Sequence, residues 1–503
     1  MAATLPWWNP RRWLAALTPE RPALPAVRAG YDGAARGPTM RDWRTNPSSA
    51  DAEDFGSREL LRDRARDIER NTGLGERVLQ VLVAKVIGTG CYSRSATGDA
   101  RTDARVNALW AEFAKNASVP NRLNWYGMQA LIVRSWFRDG EVIARPRFRR
   151  LSDGLMVPLQ IELLEGDHID SIKNEDPIPG TSNRIVQGVE YDAIGRVTAY
   201  WLWPRHPGDR TAITMPGQSV RVPARSVFHL FNPHRIGQSR GVSHLSPVID
   251  DIRQHAKRRE AERVRARAEA CVFATVQGDN PDGMAPDEGE DGDTVGPSGY
   301  VEDQDGNPVN KFAPGGIYNI SNGHELNLHA PAPSGGYETA IRVEERAIAT
   351  ALGLMYEHFG DLSQVNWASY RVGDVLTRDI VDAWRELLLE PLLMTPVWEA
   401  FIEACLIAGL LPDREGGYPV SHRWPVHQEM DRTEGAKANV AEMRSGLVSL
   451  EIAAERAGLD LEELIASHVR SKAIVEKFGL VFDGLPWQVA NGGTMQPAPP
   501  PTK

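Results

Sequence analysis

Apolar residues recur every three to four positions in several long stretches, and this pattern predicts a largely helical chain. The stretch SRELLRDRARDIERN (57–71) has its leucines, Ala65 and Ile68 on one face, and Ser57 is the expected N-cap. The next helix is predicted for GERVLQVLVAKVIGTG (75–90), with Gly88 and Gly90 ending it. The same spacing predicts further helices at 102–116, 122–138, 337–354, 369–390, 396–410 and within 431–478.

The period changes to short, partly alternating β-branched segments after Gly140, which predicts strands. These segments are EVIARPRF (141–148), PLQIELLE (158–165), IVQGVEYD (185–192), RVTAYWLW (196–203) and SVFHLF (226–231). Turn sequences such as DAIG (192–195) separate them. The sequence therefore predicts an α+β fold that is mainly helical and contains one strand-rich lobe.

A helix predicted from Pro247 to about Val276 has only a narrow apolar stripe. The stripe consists of mostly small residues: Leu245, Ile249, Ile252, Ala256, Val264, Ala268 and Cys271. Seven basic and five acidic residues cover the rest of this helix, and Arg258/Glu262 and Arg265/Glu269 have the spacing of ion pairs one turn apart. A helix with so thin a stripe cannot lie at the centre of a monomer's core, so packing against copies of itself is predicted.

The negative charge of the chain is concentrated in one segment. The formal net charge is −10, from 57 basic and 67 acidic residues. Ten of the acids lie between Gly278 and Asn310, where no Lys or Arg occurs, so the rest of the chain is balanced at 57 against 57. The densest part is GDNPDGMAPDEGEDGD (278–293), whose acids are Asp279, Asp282, Asp287, Glu288, Glu290, Asp291 and Asp293.

The remaining composition excludes several protein classes. Three distant cysteines, Cys91, Cys271 and Cys405, form neither a disulfide framework nor a zinc cluster and fit a reducing cytosol. No run of about 18 apolar residues occurs, so no membrane partner is expected. The aromatic and basic WWNPRRWLAAL (7–17) permits an interfacial helix, but an arm that packs on a neighbour or stays mobile is favoured.

No residue set with credible catalytic or cofactor-binding chemistry is found. HELNLH (324–329) has its histidines five apart rather than four, and its surroundings predict a strand, against a zinc-protease helix. The acids after Asp287 lack the spacing of a calcium loop. A hydrolytic pair of His168 with Asp170, beside Asp167, stays as a minor hypothesis, because a hydrogen-bonded turn after a strand explains these residues better. No enzyme activity, metal or cofactor is therefore expected.

An ordered set of segments resembles the lambda-type portal proteins of tailed bacteriophages. The segments span 31 to 478 and include SSADAE (48–53), VAKVIGTG (83–90), IVRSWFRDGEVIAR (132–145), IELLEGDHID (161–170), FHLFNPHRIGQSRGVSHLSPVI (228–249) and RWPVHQEMDRTEGAKANVAEM (423–443). Each segment alone is weak, and their consistent order is the stronger signal. One departure is Arg432, where the family tends to have a proline.

The resemblance implies a portal fold with a defined order of parts. It implies an extended arm (1–56), a wing (57–242), a first stem helix (243–273), a clip with the acidic insert (274–333) and a second stem helix (334–353). A channel loop (354–368), long wing helices (369–429), a helical crown (430–480) and a disordered tail (481–503) follow.

The resemblance also implies the function and the partners. Portal proteins form a ring, usually of twelve subunits, at one capsid vertex of the virion, and double-stranded DNA enters and leaves through it. The implied partners are other copies of the chain, the large terminase ATPase, capsid and scaffold proteins and head–tail connectors, with assembly in the host's cytoplasm. The candidate DNA-facing residues are His358, Gln364, Asn366, Lys257 and Arg265. The acidic segment would form a negative collar in the clip.

A second function stays open. The Arg-rich stretch at 253–267 also fits a sequence-independent duplex-DNA-binding protein without a channel role.

Overall fold

The helices and strands are those of a computed structural model of the whole chain. The structure describes residues 45, 47–120, 122–209, 217–270, 274–277, 300–302, 308–310, 325–328, 336–363, 365–427, 432–456, 461–478, 489–490 and 494–495. The described helices are α1 (Ala50–Asp54), α2 (Arg58–Asn71), α3 (Gly73–Val86), α4 (Ala100–Lys115), α5 (Trp125–Asp139), α6 (Ile249–Ala270), α7 (Tyr337–Ala351), α8 (Trp367–Trp384), α9 (Thr395–Ile407), α10 (Arg432–Arg444), α11 (Leu450–Arg456) and α12 (Leu461–Phe478).

The strands form small antiparallel sheets, as the alternating segments predict. They are β1 (Tyr92–Ser95), β2 (Glu141–Phe148), β3 (Leu159–Glu165), β4 (Arg184–Val186), β5 (Val189–Tyr191), β6 (Val197–Leu202), β7 (Val220–Pro223), β8 (Phe228–Phe231), β9 (Ala274–Gln277), β10 (Tyr300–Glu302), β11 (Pro308–Asn310), β12 (Glu325–Leu328), β13 (Val420–Arg423), β14 (Val489–Ala490) and β15 (Thr494–Met495). One sheet has the order β3-β2-β8 and another the order β4-β5-β6-β7. The pairs β1–β13, β9–β12, β10–β11 and β14–β15 are two-stranded.

The main core is formed chiefly by helices α2 to α5 together with α8 and α9. Trp110 of α4 packs against Phe113, Trp398 and Phe401, with ring centroids 5.0–5.1 Å apart. Trp125 and Trp136 of α5 are fully buried in the same core. A smaller cluster, which includes Ile143 and Tyr200, fills the space between the two larger sheets. Sequence-distant helices therefore form one layer, and the sheets pack beside it.

The turn from α5 into β2 depends on a glycine. Gly140 has φ +89°, and a Cβ built there would lie 2.2 Å from the backbone carbon of Val242. Only a residue without a side chain allows this close approach of the two backbones. The turn places Glu141 at the start of β2, where its side chain is fully buried.

Glu141 is the centre of a buried polar network that joins the two sheets. Its carboxylate accepts hydrogen bonds from Arg240 Nε at 2.9 Å and from the Gly241 amide at 3.0 Å, and it lies 3.0 Å from His229 Nε2. Arg240 also donates to the carbonyl oxygens of Gln187 and Gly166. Burial acts to raise the pKa of Glu141, but Arg240 and His229 outweigh it and hold that pKa well below its ordinary value.

Arg385 links three segments that are far apart in sequence. Its Nε donates to Val86 O at 2.7 Å and its Nη2 to Lys85 O at 3.0 Å, so it satisfies carbonyls at the C-terminal end of α3. The guanidinium also lies 5.5 Å from the ring of Trp424. The side chain is only 4% exposed.

Ser57 occupies the N-cap position directly before α2, as predicted, but it has helical dihedrals and makes no side-chain cap bond. Three other local predictions are wrong. Residues 50–54 are helical rather than extended, and Asp51 binds the amide and hydroxyl of Ser239 at 2.8 Å. The helix expected to reach Val276 ends at Ala270, because 274–277 pair with β12 as a strand. IVQGVEYD is a hairpin of two strands rather than one.

The helices predicted at 369–390 and 396–410 are joined in the structure, although Pro391 lies between them. Residues Arg385–Met394 are π-helical and connect α8 to α9 without interruption. A proline lacks an amide donor and clashes with the carbonyl four residues earlier in an α-helix. In the wider π-helical turns the hydrogen bonds span five residues, as Thr395 N to Glu390 O does, and this geometry accommodates the proline.

Candidate functional site

The residues of the hydrolytic hypothesis are engaged in structural contacts. Asp167 binds Arg62 and Arg66, each at 2.8 Å, and His168 Nδ1 lies 3.1 Å from Trp203 O. Asp170 accepts a hydrogen bond from Ser219 at 2.6 Å. These residues belong to a short 3-10 turn and its flank, as the alternative explanation of this sequence predicts.

Glu165, Asp167 and His206 form a cluster with the residue types of a metal site, but an arginine lies among them. The three side chains offer atoms within 4.8 Å of one another. Arg66 Nη2 lies 3.0 Å from Glu165 and 2.8 Å from Asp167, so a guanidinium already occupies the position between the two carboxylates. A metal ion there would meet an obligate positive charge, and the residues do not fit one.

Helix α6 changes from buried to exposed along its length. Ile252 and His255 near its start are almost fully buried, whereas Val264 in its second half is 54% exposed. On the buried side, α6 contacts α7: His255 Nε2 lies 3.2 Å from Glu345, and Arg258 Nη2 lies 2.8 Å from Glu344. The two helices form a pair that is anchored in the core at one end.

One of the two ion pairs expected within α6, Arg258/Glu262, does not form. Arg258 binds Glu344 of α7 instead of Glu262, and Glu262 binds Arg265 three residues later. Arg263 binds Glu260 at 3.1 Å. The i,i+4 rule fails here because α7 offers Arg258 a carboxylate on a neighbouring helix. The side chain of Glu269 lies outside the described residues.

The face of α6 opposite to α7 carries uncompensated positive charge. With 100° per residue, Arg253, Lys257, Glu260, Val264 and Arg267 lie on this face, and all are exposed. Within the described part of the chain, Arg253, Lys257 and Arg267 have no ion-pair partner. The face therefore carries three cations against two carboxylates, which are Asp250 at its N-terminal end and Glu260, and Glu260 is paired with Arg263. Lys257 lies on it, whereas Arg265 is 27% exposed and paired with Glu262.

Of the predicted loop residues, His358 is not a surface group. Its residue is 8% exposed, its Nδ1 accepts from Met355 N, and its ring packs edge-on against Tyr370. Burial, followed by the nearby Lys85, lowers its pKa to about 4, so the ring is neutral at pH 7. His358 therefore lies buried between α3 and α8 in the single chain, and its contact with DNA stays a prediction.

Asn366 is exposed, and it caps α8 by accepting a hydrogen bond from Ala368 N at 3.0 Å. Gln364 lies outside the described residues. So do all seven acids of the predicted collar, from Asp279 to Asp293. Among the neighbours of that segment, only the strand pairs β9–β12 and β10–β11 are described.

The sequence analysis missed an exposed apolar row on α8. We call this row, with Leu387 just beyond α8, the α8 stripe; it consists of Val372, Leu376, Ile380, Ala383 and Leu387. Leu376 is 60% and Leu387 is 71% exposed. The spacing of 4, 4, 3 and 4 is readable in the sequence, but Trp384, Leu388 and Leu393 form an apolar cluster beside the row and obscure it. Part of that cluster is buried, while Leu387 points away from it.

None of the described helices is long and apolar enough to cross a membrane.

Known proteins similar to this chain are portal proteins. The family model "Phage portal protein, lambda family" matches residues 36–385. A "Probable portal protein" of Halomonas phage phiHAP-1 is 29% identical over 379 residues, which cover 73% of this chain and 70% of the relative.

Two solved structures give weaker matches. A chain from the neck of an empty gene transfer agent (GTA) particle is 14% identical, with a TM-score of 0.44, over 78% of this chain and 93% of its own. An HK97-family phage portal protein from Corynebacterium diphtheriae is 13% identical, with a TM-score of 0.33, over 62% of this chain and 84% of its own. Because the family model matches well over half of the sequence, this chain belongs to the lambda family of phage portal proteins.

Proposed function

We propose that copies of this chain close into a ring, with twelve as the expected number, that conducts double-stranded DNA into and out of a capsid. The observation that carries the proposal is the α6–α7 pair. Its base is embedded in the core, but its outer surface is charged and has too few apolar residues to be covered by the same chain. Copies arranged around an axis would cover part of this surface and leave the rest facing an opening.

The charge on α6 suits a channel through which DNA slides better than a site that binds DNA tightly. A ring of such helices would present Arg253, Lys257 and Arg267 around its circumference or toward its neighbours. Each phosphate that a cation neutralises adds affinity, and affinity slows sliding. Three cations per chain, with Glu260 between them, guide DNA weakly, and a negative collar of residues 279–293 would keep the duplex centred.

The parts of the proposed portal follow the elements. The wing comprises α2 to β8, the first stem helix is α6 within 243–273, and the second is α7 within 334–353. The clip comprises 274–333, the channel loop 354–368, the long wing helices 369–429 and the crown 430–480. In the channel loop, Asn366 remains a candidate for contact with DNA, and Lys257 is the better candidate on α6.

The same proposal assigns the partners and the setting. The chain acts without catalysis of its own, and a terminase ATPase docked at the clip drives packaging. Capsid and scaffold proteins contact the wing, and head–tail connectors bind the clip after packaging. The ring then resides at one vertex of the virion after assembly in the host cytoplasm.

Electron microscopy of the purified chain tests this function. The expected result is closed rings with a central opening wide enough for B-form DNA, with class averages that give the number of copies. Native mass spectrometry gives that number independently. A monomer under all assembly conditions, or a ring without such an opening, would refute the proposal.

The cations on α6 favour one second candidate, a sequence-independent DNA-binding protein. Three phosphate contacts per chain give a slope of about −3 for the logarithm of the binding constant against the logarithm of salt concentration. Tight binding of linear duplex by monomers, abolished in the variant Arg253→Ala/Lys257→Ala/Arg267→Ala, would favour this candidate. Binding that needs the ring, or no binding at low salt, would eliminate it.

A further inference from the structure

The α8 stripe is an apolar surface that the described chain leaves uncovered. Its five residues extend over 15 positions, or about 22 Å of helix. Val372 is 64% and Leu376 is 60% exposed, and Val375 beside them is 48% exposed. Soluble proteins rarely expose contiguous apolar patches larger than a few hundred Å², and an extended apolar row of this kind marks a binding surface.

One edge of the stripe is acidic. Asp379 and Glu386 are exposed and lie seven residues apart, which places both on the same side of the apolar row. Neither carboxylate has an ion-pair partner within the described part of the chain. The surface therefore fits a partner that combines large apolar side chains with two positive charges. These charges must reach two carboxylates that lie about two helical turns apart.

The segment 7–17 of the same chain has this chemistry. WWNPRRWLAAL contains three tryptophans, two leucines and the adjacent Arg11 and Arg12, and the first acid of the chain is Glu20. This segment lies outside the described residues, and the proposed conduit gives it no role. Large aromatic side chains supply much contact area when they are covered, and the two guanidinium groups complement the acidic edge.

The connecting chain does not restrict where this segment binds. Pro47 opens the first continuous described range, 34 residues after Trp13. A chain of that length can reach about 110 Å when extended, several times the length of the α8 stripe. The segment can therefore reach α8 of its own chain or α8 of an adjacent copy.

We propose that residues 7–17 bind the α8 stripe, with the tryptophans and leucines covering Val372, Leu376 and Ile380, and with Arg11 and Arg12 at Asp379 and Glu386. The bound segment then shields the apolar side chains of α8 from water. The inference stands whether or not the chain forms a ring, since it depends only on the surface and the segment.

Disulfide trapping in the full-length chain tests the contact. The variant Trp13→Cys/Leu376→Cys is made in a Cys271→Ser background, in which Cys91 and Cys405 remain buried and unreactive. A disulfide forms only if the two Cα atoms approach to within about 7 Å. The matched control is Trp13→Cys/Leu151→Cys, because Leu151 is 68% exposed and belongs to the turn between β2 and β3 rather than to α8. We expect rapid cross-linking in the first protein and background cross-linking in the control, and gel mobility shows whether the bond joins one chain or two.

Reversing the charges on both sides of the contact distinguishes specific binding from cross-linking by random collision. Asp379→Lys/Glu386→Lys is expected to lower the cross-linking rate about tenfold, from the loss of two ion pairs and the gain of repulsion. Adding Arg11→Glu/Arg12→Glu to that variant is expected to restore the rate.

Three results would overturn the proposal. The first is equal cross-linking at positions 376 and 151. The second is interchain cross-linking of Leu376→Cys alone that is unchanged by Trp7→Ala/Trp8→Ala/Trp13→Ala, which would assign the stripe to the body of a second copy. The third is flotation of the protein on anionic vesicles through these tryptophans without a 13–376 disulfide, which would assign the segment to a lipid surface.

Discussion

Replacing Glu141 by glutamine should destabilise the fold strongly, although the substitution changes only one carboxylate to its amide. Glu141 is fully buried, and Arg240, which is 1% exposed, has no alternative carboxylate at hydrogen-bonding distance in the described structure. Glutamine keeps the shape but removes the charge, so it leaves a buried guanidinium uncompensated. Breaking a buried ion pair in this way costs about 3–5 kcal/mol of unfolding free energy.

The control is the same substitution at an exposed pair. Glu112 binds Lys115, with side chains 39% and 66% exposed, and Glu112→Gln should cost about 0–1 kcal/mol. A second variant, Glu141→Gln/Arg240→Met, removes the unpaired charge and should be more stable than Glu141→Gln alone.

Urea unfolding followed by tryptophan fluorescence measures these free energies, at one protein concentration because any assembly would shift the midpoints. The pKa of Glu141 is lower in the folded chain than its ordinary value of 4.5, so its ionisation stabilises the fold above about pH 4.5. That contribution is lost as the pH falls through the lowered folded value. The glutamine variant should therefore show a smaller loss of stability per pH unit below 4.5. A free-energy difference under about 1 kcal/mol between Glu141→Gln and Glu112→Gln would refute the reasoning.

Three further measurements test the packing. Gly140→Ala should lower the unfolding free energy by more than about 3 kcal/mol in urea unfolding, because its Cβ would overlap the backbone at an already unfavourable φ. The control Gly154→Ala, at a glycine with φ +78° and open space around it, should lower it by about 1–2 kcal/mol. Equal costs would contradict the close approach of the two backbones at Gly140. A double-mutant cycle on Arg258 and Glu344, which are 47% and 25% exposed, should give a coupling of about 0.5 kcal/mol, and a coupling above about 2 kcal/mol would show that the pair is more shielded from water than these exposures indicate. Burial raises the pKa of the Cys91 thiol and raises that of Cys405 to about 12, so the folded chain should expose at most one thiol to Ellman's reagent at pH 8, against three in urea; two or more in the folded chain would contradict the core.

The spacing of apolar residues and glycines was enough to predict the elements whose conformation depends on their own residues. The strand 141–148 was predicted with its observed bounds, because Gly140 ends α5 and alternation begins at once. The prediction of α3 succeeded for the same reason, with apolar periodicity stopped by Gly88. HELNLH was correctly assigned to a strand rather than a metal-binding helix, as β12 confirms.

The features that the sequence did not reveal depend on contacts between segments distant in sequence. Arg258 was expected to pair within α6, but the carboxylate it binds is 86 residues later in the chain. His358 looked like a polar loop residue, and only the packing of α3 and α8 around it makes it a buried one. The uncovered α8 stripe likewise depends on which helical face the tertiary fold occupies, and one sequence does not specify that.

The position of Arg385 has a consequence for the order of events during synthesis. The carbonyls of Lys85 and Val86 receive their donor from a residue made about 300 positions later. A ribosome adds about 5–20 residues per second, so this end of α3 waits on the order of tens of seconds for its partner. Water must satisfy these two carbonyls until then, so the C-terminal end of α3 reaches its native contacts only after the long helix emerges.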